Sequence, residues 1–300
     1  MITIEAPGPL ALIEDLGRHG YAHLGVSTSG AADRGALRTA NRLVGNADVQ
    51  AAIEITLGGL RIRTDAPLWC AIAGPATTIM INNRAEPSHH PIHLEAGDQL
   101  GVLPPARGLR NYLAIRGGLE VPSVLGSRST DLLSGLGPPR LAAGDRLHVG
   151  IASTAFPGAD VTPQPLPPSR PTTIEVEAGP RTDWFTDDAT AALIEQLWTV
   201  DPDSDRTAVR LHGRPLQRRN NSELPSEGLV RGAIQVPPSG LPLIFGSDHP
   251  VTGGYPVIAV ATPDGCDRAA QLRPGDAVRF TLRSPVSSGP AYRRNADPYP

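Results

Sequence analysis

The chain contains no lysine, and all 27 of its basic residues are arginine. That excludes every chemistry that needs a side-chain primary amine: Schiff-base catalysis, a lysine base, a Walker A lysine and a biotinyl-lysine. Thiols are scarce too. Cys70 and Cys266 are the two cysteines, far apart and without Cys-x-x-Cys spacing, which reads as two free thiols in a reducing compartment. No apolar run approaches the roughly 18 residues of a membrane span. The opening Met-Ile-Thr-Ile-Glu has neither the basic nor the apolar region of a secretory signal. The expectation is a cytoplasmic protein with no membrane segment. Acidic residues outnumber basic ones, 30 against 27, which argues against a dedicated nucleic-acid binder.

Glycine and proline are abundant instead, with 32 of each among 300 residues. That is about a fifth of the chain, where roughly 12% is usual. Such a density of helix breakers excludes an all-helical bundle. A hydrophobic content of 40% still supplies real cores. At roughly 150 residues per domain, the length points to two.

Short apolar or β-branched runs bounded by Gly, Pro, Asn or Asp predict strands at 1–5, 52–57, 60–63, 68–72 and 77–81. A helix is expected over 31–44, where Ala36, Leu37, Ala40, Leu43 and Val44 share a face and Gly45 stops the run. A second is expected over 186–199, with Asp187 and Asp188 at the positive end of its dipole. The phrase Leu-x-x-Gly-Asp-x-apolar recurs at 94–100, 141–147 and 272–278 and reads as a turn feeding a strand. Segments 4–21 and 234–255 resemble each other. The expected organisation is an N-terminal β-barrel unit at 1–150, a linker at 151–171, a C-terminal β-barrel unit at 172–283 and a flexible tail at 284–300. The fold class is mostly β, with one or two helices in each unit.

Familiar catalytic signatures are missing. There is no P-loop, no Gly-x-Gly-x-x-Gly between a strand and a helix, and no His-Glu-x-x-His. The Gly25–Ser29 stretch fails the nucleophile-elbow pattern at its last position. His89-His90-x-x-His93 lacks supporting metal ligands and reads as a solvated loop, so no metal is expected.

Three segments look richer than scaffold. The first holds Asp15, Arg18, Ser29 and Asp33 among glycines that allow close backbone approach. The second holds Asn41 and Asn46 and leads to Glu54. The third holds Ser226, Glu227, Gln235, Asp248, Thr252, Gly253, Gly254, Tyr255 and Gln271. There Gly253-Gly254 could turn amide N–H groups toward an anion, and Asp248 could act as a base. Each has a plainer reading. Asp15 and Asp33 would cap a turn and a helix, Asn41 and Asn46 would satisfy a helix end, and Ser226-Glu227 and Gly253-Gly254 would be turns. Arg18, Arg116 and Arg128 would form surface pairs.

The run Gly17-Arg18-His19-Gly20-Tyr21, Ser29-Gly30-Ala31, Asp33, Ala40 to Asn46 and Glu54 resembles the biotin-dependent carboxyltransferase A/B family. That family is also called allophanate hydrolase subunit 2, and it includes the C component of 5-oxoprolinase. Arg116-Gly117-Gly118, Leu125 to Thr130 and the third segment resemble it as well, so that the likeness spans about 2–282. It implies two cyclophilin-like barrels and a partner chain like the B component of 5-oxoprolinase, with the A component as a further partner. It also implies a small-molecule substrate and an ATP-driven opening of 5-oxo-L-proline to L-glutamate, with ATP, alone or as its Mg complex, as the cofactor. On that reading Asp248, Asp33 and Arg18 are the catalytic candidates, and the other residues of the three segments, with Arg128, bind substrate or nucleotide. Two departures stand out. Ser204-Asp205-Arg206-Thr207-Ala208 replaces the family's Ser-Asn-Arg-Met-Gly, and Val257 replaces a Lys after Gly-Gly-Tyr-Pro. Two other readings remain open: carboxyl transfer from a biotin carried on another chain to a urea- or amide-like substrate, and non-enzymatic regulation of a kinase-inhibitor-like protein.

Overall fold

The computed structural model describes residues 1–152, 154–158, 162–163 and 170–283. The expected tail at 284–300 lies outside them, as do parts of the expected linker.

Strands of the first half fall into two antiparallel sheets. One runs in the order Leu119–Glu120, Arg146–Val149, Ile2–Pro7, Leu60–Thr64, Gln99–Val102, Thr78–Ile81, Arg84–Pro87. The other runs Leu10–Glu14, Ala52–Thr56, Arg110–Ile115, Leu68–Ala73, Pro91–Leu94. A single apolar cluster joins them: Ile4, Ile62 and Leu100 of the first sheet pack with Ile13, Ile53, Ile72 and Leu113 of the second.

The second sheet is buried on both faces, and strand alternation explains how. Successive side chains point to opposite faces. In Arg110–Ile115, Leu113 and Ile115 enter the inter-sheet core, whereas Tyr112 and Ala114 face helix α1, Arg34–Leu43. In Leu68–Ala73, Cys70 and Ile72 face inward, whereas Ala71 and Ala73 face α1. Alanines on both sides of this second layer let the helix lie close to the sheet, and Leu37 and Leu43 fill it. By the same alternation Glu54 points out of the apolar core, toward the N-terminus of α1, where it accepts from the Ala32 amide.

The second half closes into a barrel of seven strands in the order Thr172–Ala178, Val257–Ala261, Ala233–Gln235, Leu243–Phe245, Ala208–His212, Trp198–Val200, Ala277–Leu282. The last strand returns to pair in parallel with the first. Helices α2, Asp187–Glu195, and α3, Pro263–Ala269, pack residues into its core. The protein is therefore mostly β and contains a barrel. Closure is seen in the second half, while the first half stacks two sheets.

Two local expectations change. The helix expected to reach 199 ends at Glu195, and Trp198–Val200 is a strand. Trp198 is fully buried in the barrel core, and its indole N–H donates to Leu193 O at 3.0 Å. Burying so large a side chain outweighs the weak helical preference of the segment. Helix α3 was not expected, although Thr262 and Pro263 form a start signal, with Thr262 Oγ1 accepting from Gly265 N.

The three Gly-Asp phrases share one geometry. Gly97, Gly144 and Gly275 have φ of 89°, 95° and 83°. Asp98, Asp145 and Asp276 then accept from the amides of Glu95, Ala142 and Arg273 at 2.8, 2.7 and 2.9 Å. Each turn feeds a strand.

Candidate functional site

Where α1 of the first half meets α3 of the second, the surface opens into a cleft of about 1000 Å³. Asp33, His89 and Arg107 line it from one side, and Asp267, Arg268 and Gln271 from the other. Asp33 caps α1. Its Oδ1 accepts from Ala36 N at 2.8 Å and its Oδ2 from Gln271 Nε2 at 2.7 Å, while its own amide donates to the Tyr112 hydroxyl at 2.7 Å. Burial and the nearby Asp267 carboxylate push the Asp33 carboxyl up to about 6, against the pull of Gln271, Ala36 and Arg231. Gln271 is held in turn. Its Oε1 accepts from Leu109 N and Arg110 N, both at 2.8 Å, and its Nε2 also donates to Arg110 O at 3.0 Å. An amide with all these partners has one orientation, so it presents an N–H to Asp33.

His89 is the other unusual wall residue. It adopts φ 72°, which side-chain-bearing residues rarely take, and is 2% exposed. Its Nδ1 lies 2.8 Å from Ser88 Oγ. Burial lowers its proton affinity below the usual histidine value. The expected solvated loop is therefore corrected at this residue. His93, by contrast, is partly exposed and stacks beside Trp69. Among the described residues no group of three or more His, Cys, Asp or Glu is placed to hold a metal ion.

Behind the cleft, buried charges join the two halves. Arg206 grips Asp248 with two bonds, Nε to Oδ2 at 2.9 Å and Nη2 to Oδ1 at 3.0 Å. It also donates to Glu54 Oε1 and to Gly30 O. Burial opposes its charge, but Glu14, Glu54 and Asp248 hold its proton affinity well above the ordinary arginine value. Burial would likewise raise the Glu54 carboxyl, but Arg206 and Arg110 outweigh it and keep it below the usual range. Glu54 Oε2 accepts from the Tyr112 hydroxyl at 2.7 Å. The network thus reaches the Asp33 amide through one tyrosine. Glu14 is the weak member. It lies 3.3 Å from Arg206, neither of its oxygens makes a hydrogen bond of ordinary geometry, and burial raises its carboxyl well above the usual value, with Glu54 and Asp248 adding to the effect.

The sequence-derived candidates therefore divide. Asp33 and Gln271 meet in the cleft. Ser29, Glu54 and Asp248 meet in the buried network, with Ser29 Oγ donating to Asp248 Oδ1 at 2.7 Å. Asp248 is fully buried, and its oxygens already receive Ser29, Leu132 N and both Arg206 bonds. That arrangement holds the halves together and leaves no lone pair directed at a substrate. Asp15 is a knot of local structure, accepting from Gly17 N, Ser127 Oγ, Arg128 N and Ser129 Oγ. Arg18 is 1% exposed, donates to Ser129 O and faces Asp131. Arg128 donates to Val121 O. Asn41 and Asn46 tie the end of α1 to Gln50 O, Ile115 O and Gly117 N.

Apart from Asp248 and Gln271, the third segment does not converge with these. Glu227–Gly228 pairs with Thr252–Gly253 in a two-stranded ribbon, and Glu227 pairs with Arg181. Ser226 and Tyr255 are exposed, and Gln235 donates to Tyr255 O at 2.9 Å. Gly253 is in a strand, and a Cβ on it would meet Gln235 Nε2 at 2.7 Å. Close packing explains that glycine, and neither Gly253 nor Gly254 has the positive φ of an anion-cradling turn.

Arg206, Glu14, Tyr112, Asp267 and His89 were missed as site residues. Arg206 had a signal: it is the retained arginine in a segment weighed only for its substitutions. Tyr112 and Asp267 had none, because their roles arise from contacts across the fold.

The cleft suits a triphosphate poorly. Asp33, Asp264, Asp267 and Asp276 line it against Arg107 and Arg268. Four carboxyls against two guanidinium groups disfavour a polyanion, and no lysine is present to counter them.

The fold and the cleft define a mostly-β, barrel-containing protein with a cleft between its two halves. Residues 24–282 match the family described as the carboxyltransferase domain, subdomain A and B, and the chain belongs to that family. It is 36% identical over 283 residues to the C component of 5-oxoprolinase from Escherichia coli (strain K12), covering 93% of this chain and 90% of that protein. It superposes on the crystal structure of TTHA0988 with a TM-score of 0.84 at 34% identity, covering 93% of this chain and 55% of that one. On the K. lactis urea amidolyase the TM-score is 0.86 at 30% identity, covering 94% of this chain and 19% of that one. The chain thus spans about half of the first solved structure and about a fifth of the second.

Proposed function

We propose that this protein is the C component of a 5-oxoprolinase, working with the B component, and with the A component, in the ATP-dependent opening of 5-oxo-L-proline to L-glutamate in the cytoplasm. The observation that carries the reading is the likeness to the C component of a 5-oxoprolinase across nearly the full length of both chains. The Asp33–Gln271 pair supplies matching chemistry. Opening a lactam breaks the C–N bond, adds hydroxide to the carbonyl carbon and delivers a proton to nitrogen. A carboxyl that binds its proton near pH 6 can take a proton from the attacking water and return it to the leaving nitrogen. Gln271 holds that carboxyl in place. On this reading the nucleotide is held by the partner chains.

The test is ADP release by the protein co-purified with its partner of the B-component type, with and without 5-oxo-L-proline. Release that depends on 5-oxo-L-proline and falls in Asp33→Asn supports the reading. An intact complex with no dependence refutes it. The superposition on urea amidolyase favours one alternative, carboxyl transfer from a biotin carried on another chain. Transfer of labelled carboxylate from added carboxybiotin to urea by the same complex would mark that outcome.

A further inference from the structure

We propose that Asp267 is a positioning residue for Asp33: reaching over from α3, it holds the first turn of α1 by its backbone amides and keeps a negative charge beside the Asp33 carboxyl. The inference rests on the reading that Asp33 handles the proton in the cleft.

The geometry is specific. Asp267 Oδ1 accepts from Arg34 N at 3.0 Å and Oδ2 from Gly35 N at 2.9 Å. Asp33, the helix's own cap, takes the Ala36 amide. Two carboxylates from opposite halves of the chain therefore share the free amides of one helix end. Those amides and the helix dipole draw negative charge. Two charges crowded there still repel, and one carboxyl then holds its proton to a higher pH than usual.

The surroundings decide which one. Arg231 donates to Asp267 Oδ1 at 2.7 Å and to Ala32 O at 2.6 Å, so its charge is committed to Asp267. Among the described residues Asp33 makes no ion pair. Its contacts are the neutral Gln271 amide and backbone, with the Tyr112 hydroxyl bound to its amide. Arg34 follows it on α1, and His89 and Arg268 line the same cleft. Asp267 is thus the charge that raises the proton affinity of Asp33 beyond what burial does, while fixing the backbone that carries it.

The experiment follows the Asp33 carboxyl by carbon NMR during a pH titration of the full chain, with the signal assigned by its loss in Asp33→Asn. Asp267→Asn keeps an acceptor for the helix amides and removes the charge. It should move the Asp33 midpoint down by about one unit. Asp267→Glu keeps the charge and should leave the midpoint nearly in place. Arg231→Met removes the cation that neutralises Asp267 and should move it up. In the complex, the acid limb of 5-oxo-L-proline-dependent ADP release should follow the same order. A midpoint unmoved by Asp267→Asn, or moved equally by Asp267→Asn and Asp267→Glu, overturns the proposal. If Asp267→Asn does not fold, Asp267→Ser, which also removes the charge, decides by the same downward shift. If the wild-type complex shows no substrate-dependent ADP release, the functional reading fails, and the NMR titration still decides the role of Asp267.

Discussion

Gln271 Nε2 donates to Asp33 Oδ2 at 2.7 Å across 238 residues of chain. The same side chain accepts from the Leu109 and Arg110 amides. One glutamine therefore links the end of α3 to the cap of α1 and to a central strand of the first half.

Removing that link should hurt turnover more than folding. Gln271→Ala leaves the Asp33 carboxyl free to swing from its working position, and small displacements of a reacting group cost about 100-fold in rate. Steady-state ADP release by the complex should show the loss chiefly in kcat, with circular dichroism unchanged. An equal loss of thermal stability and activity would contradict it.

The pH profile should carry the signature of Asp33. With its carboxyl raised to about 6, the ionised base forms as pH rises through that value. Activity that needs the ionised form should fall below about pH 6 and lose that limb in Asp33→Asn. An acid limb near pH 4, the range of an unperturbed carboxyl, would exclude Asp33.

Arg206 should prove a stability residue. Arg206→Ala leaves Asp248 buried without its cation and Glu54 with Arg110 alone, and breaking a buried pair this way costs about 3–5 kcal/mol. Urea unfolding should show that loss. For the same reason Asp248→Ala should unfold the junction rather than report on catalysis.

Glu14 should behave in the opposite way. Its carboxyl binds a proton more tightly in the folded chain than in the unfolded one. Its contribution to stability is therefore present below the unfolded value, near 4.5, and is lost as pH rises toward the folded one. Glu14→Gln keeps the shape without the charge. At neutral pH it should match or exceed the wild type, gaining up to about 1–3 kcal/mol, the usual cost of an unsatisfied buried group. Unfolding curves at pH 5 and pH 8 should converge in the variant. A large destabilisation at both would show that the ionised carboxylate is required.

Much of the local structure was legible because it is encoded locally. The helix expected over 31–44 follows from a spaced apolar face and a stopping Gly, although it forms over Arg34–Leu43, because Asp33 caps it rather than lying in its first turn. The three Gly-Asp turns follow from one glycine with positive φ and one carboxylate three residues along from the amide it holds. The family likeness was also legible, because its motifs are strings of neighbours.

The site was only half legible. Asp33, Glu54, Asp248 and Gln271 stood out by residue type, but the sequence could not divide them between an open cleft and a buried junction. It grouped Gly253 and Tyr255 with Asp248, although ribbon pairing carries the glycine elsewhere. It passed over Asp267, whose partners are the amides of Arg34 and Gly35, more than 200 residues away. The sequence by itself determined the composition of the chemistry: arginine without lysine, a set of candidate carboxylates, a mostly-β frame and its family. Tertiary structure decided which carboxylates meet which cations and which of them meet solvent. Proton affinity depends on burial and on charges a few ångströms away, and those distances are set by packing across the two halves rather than by order along the chain.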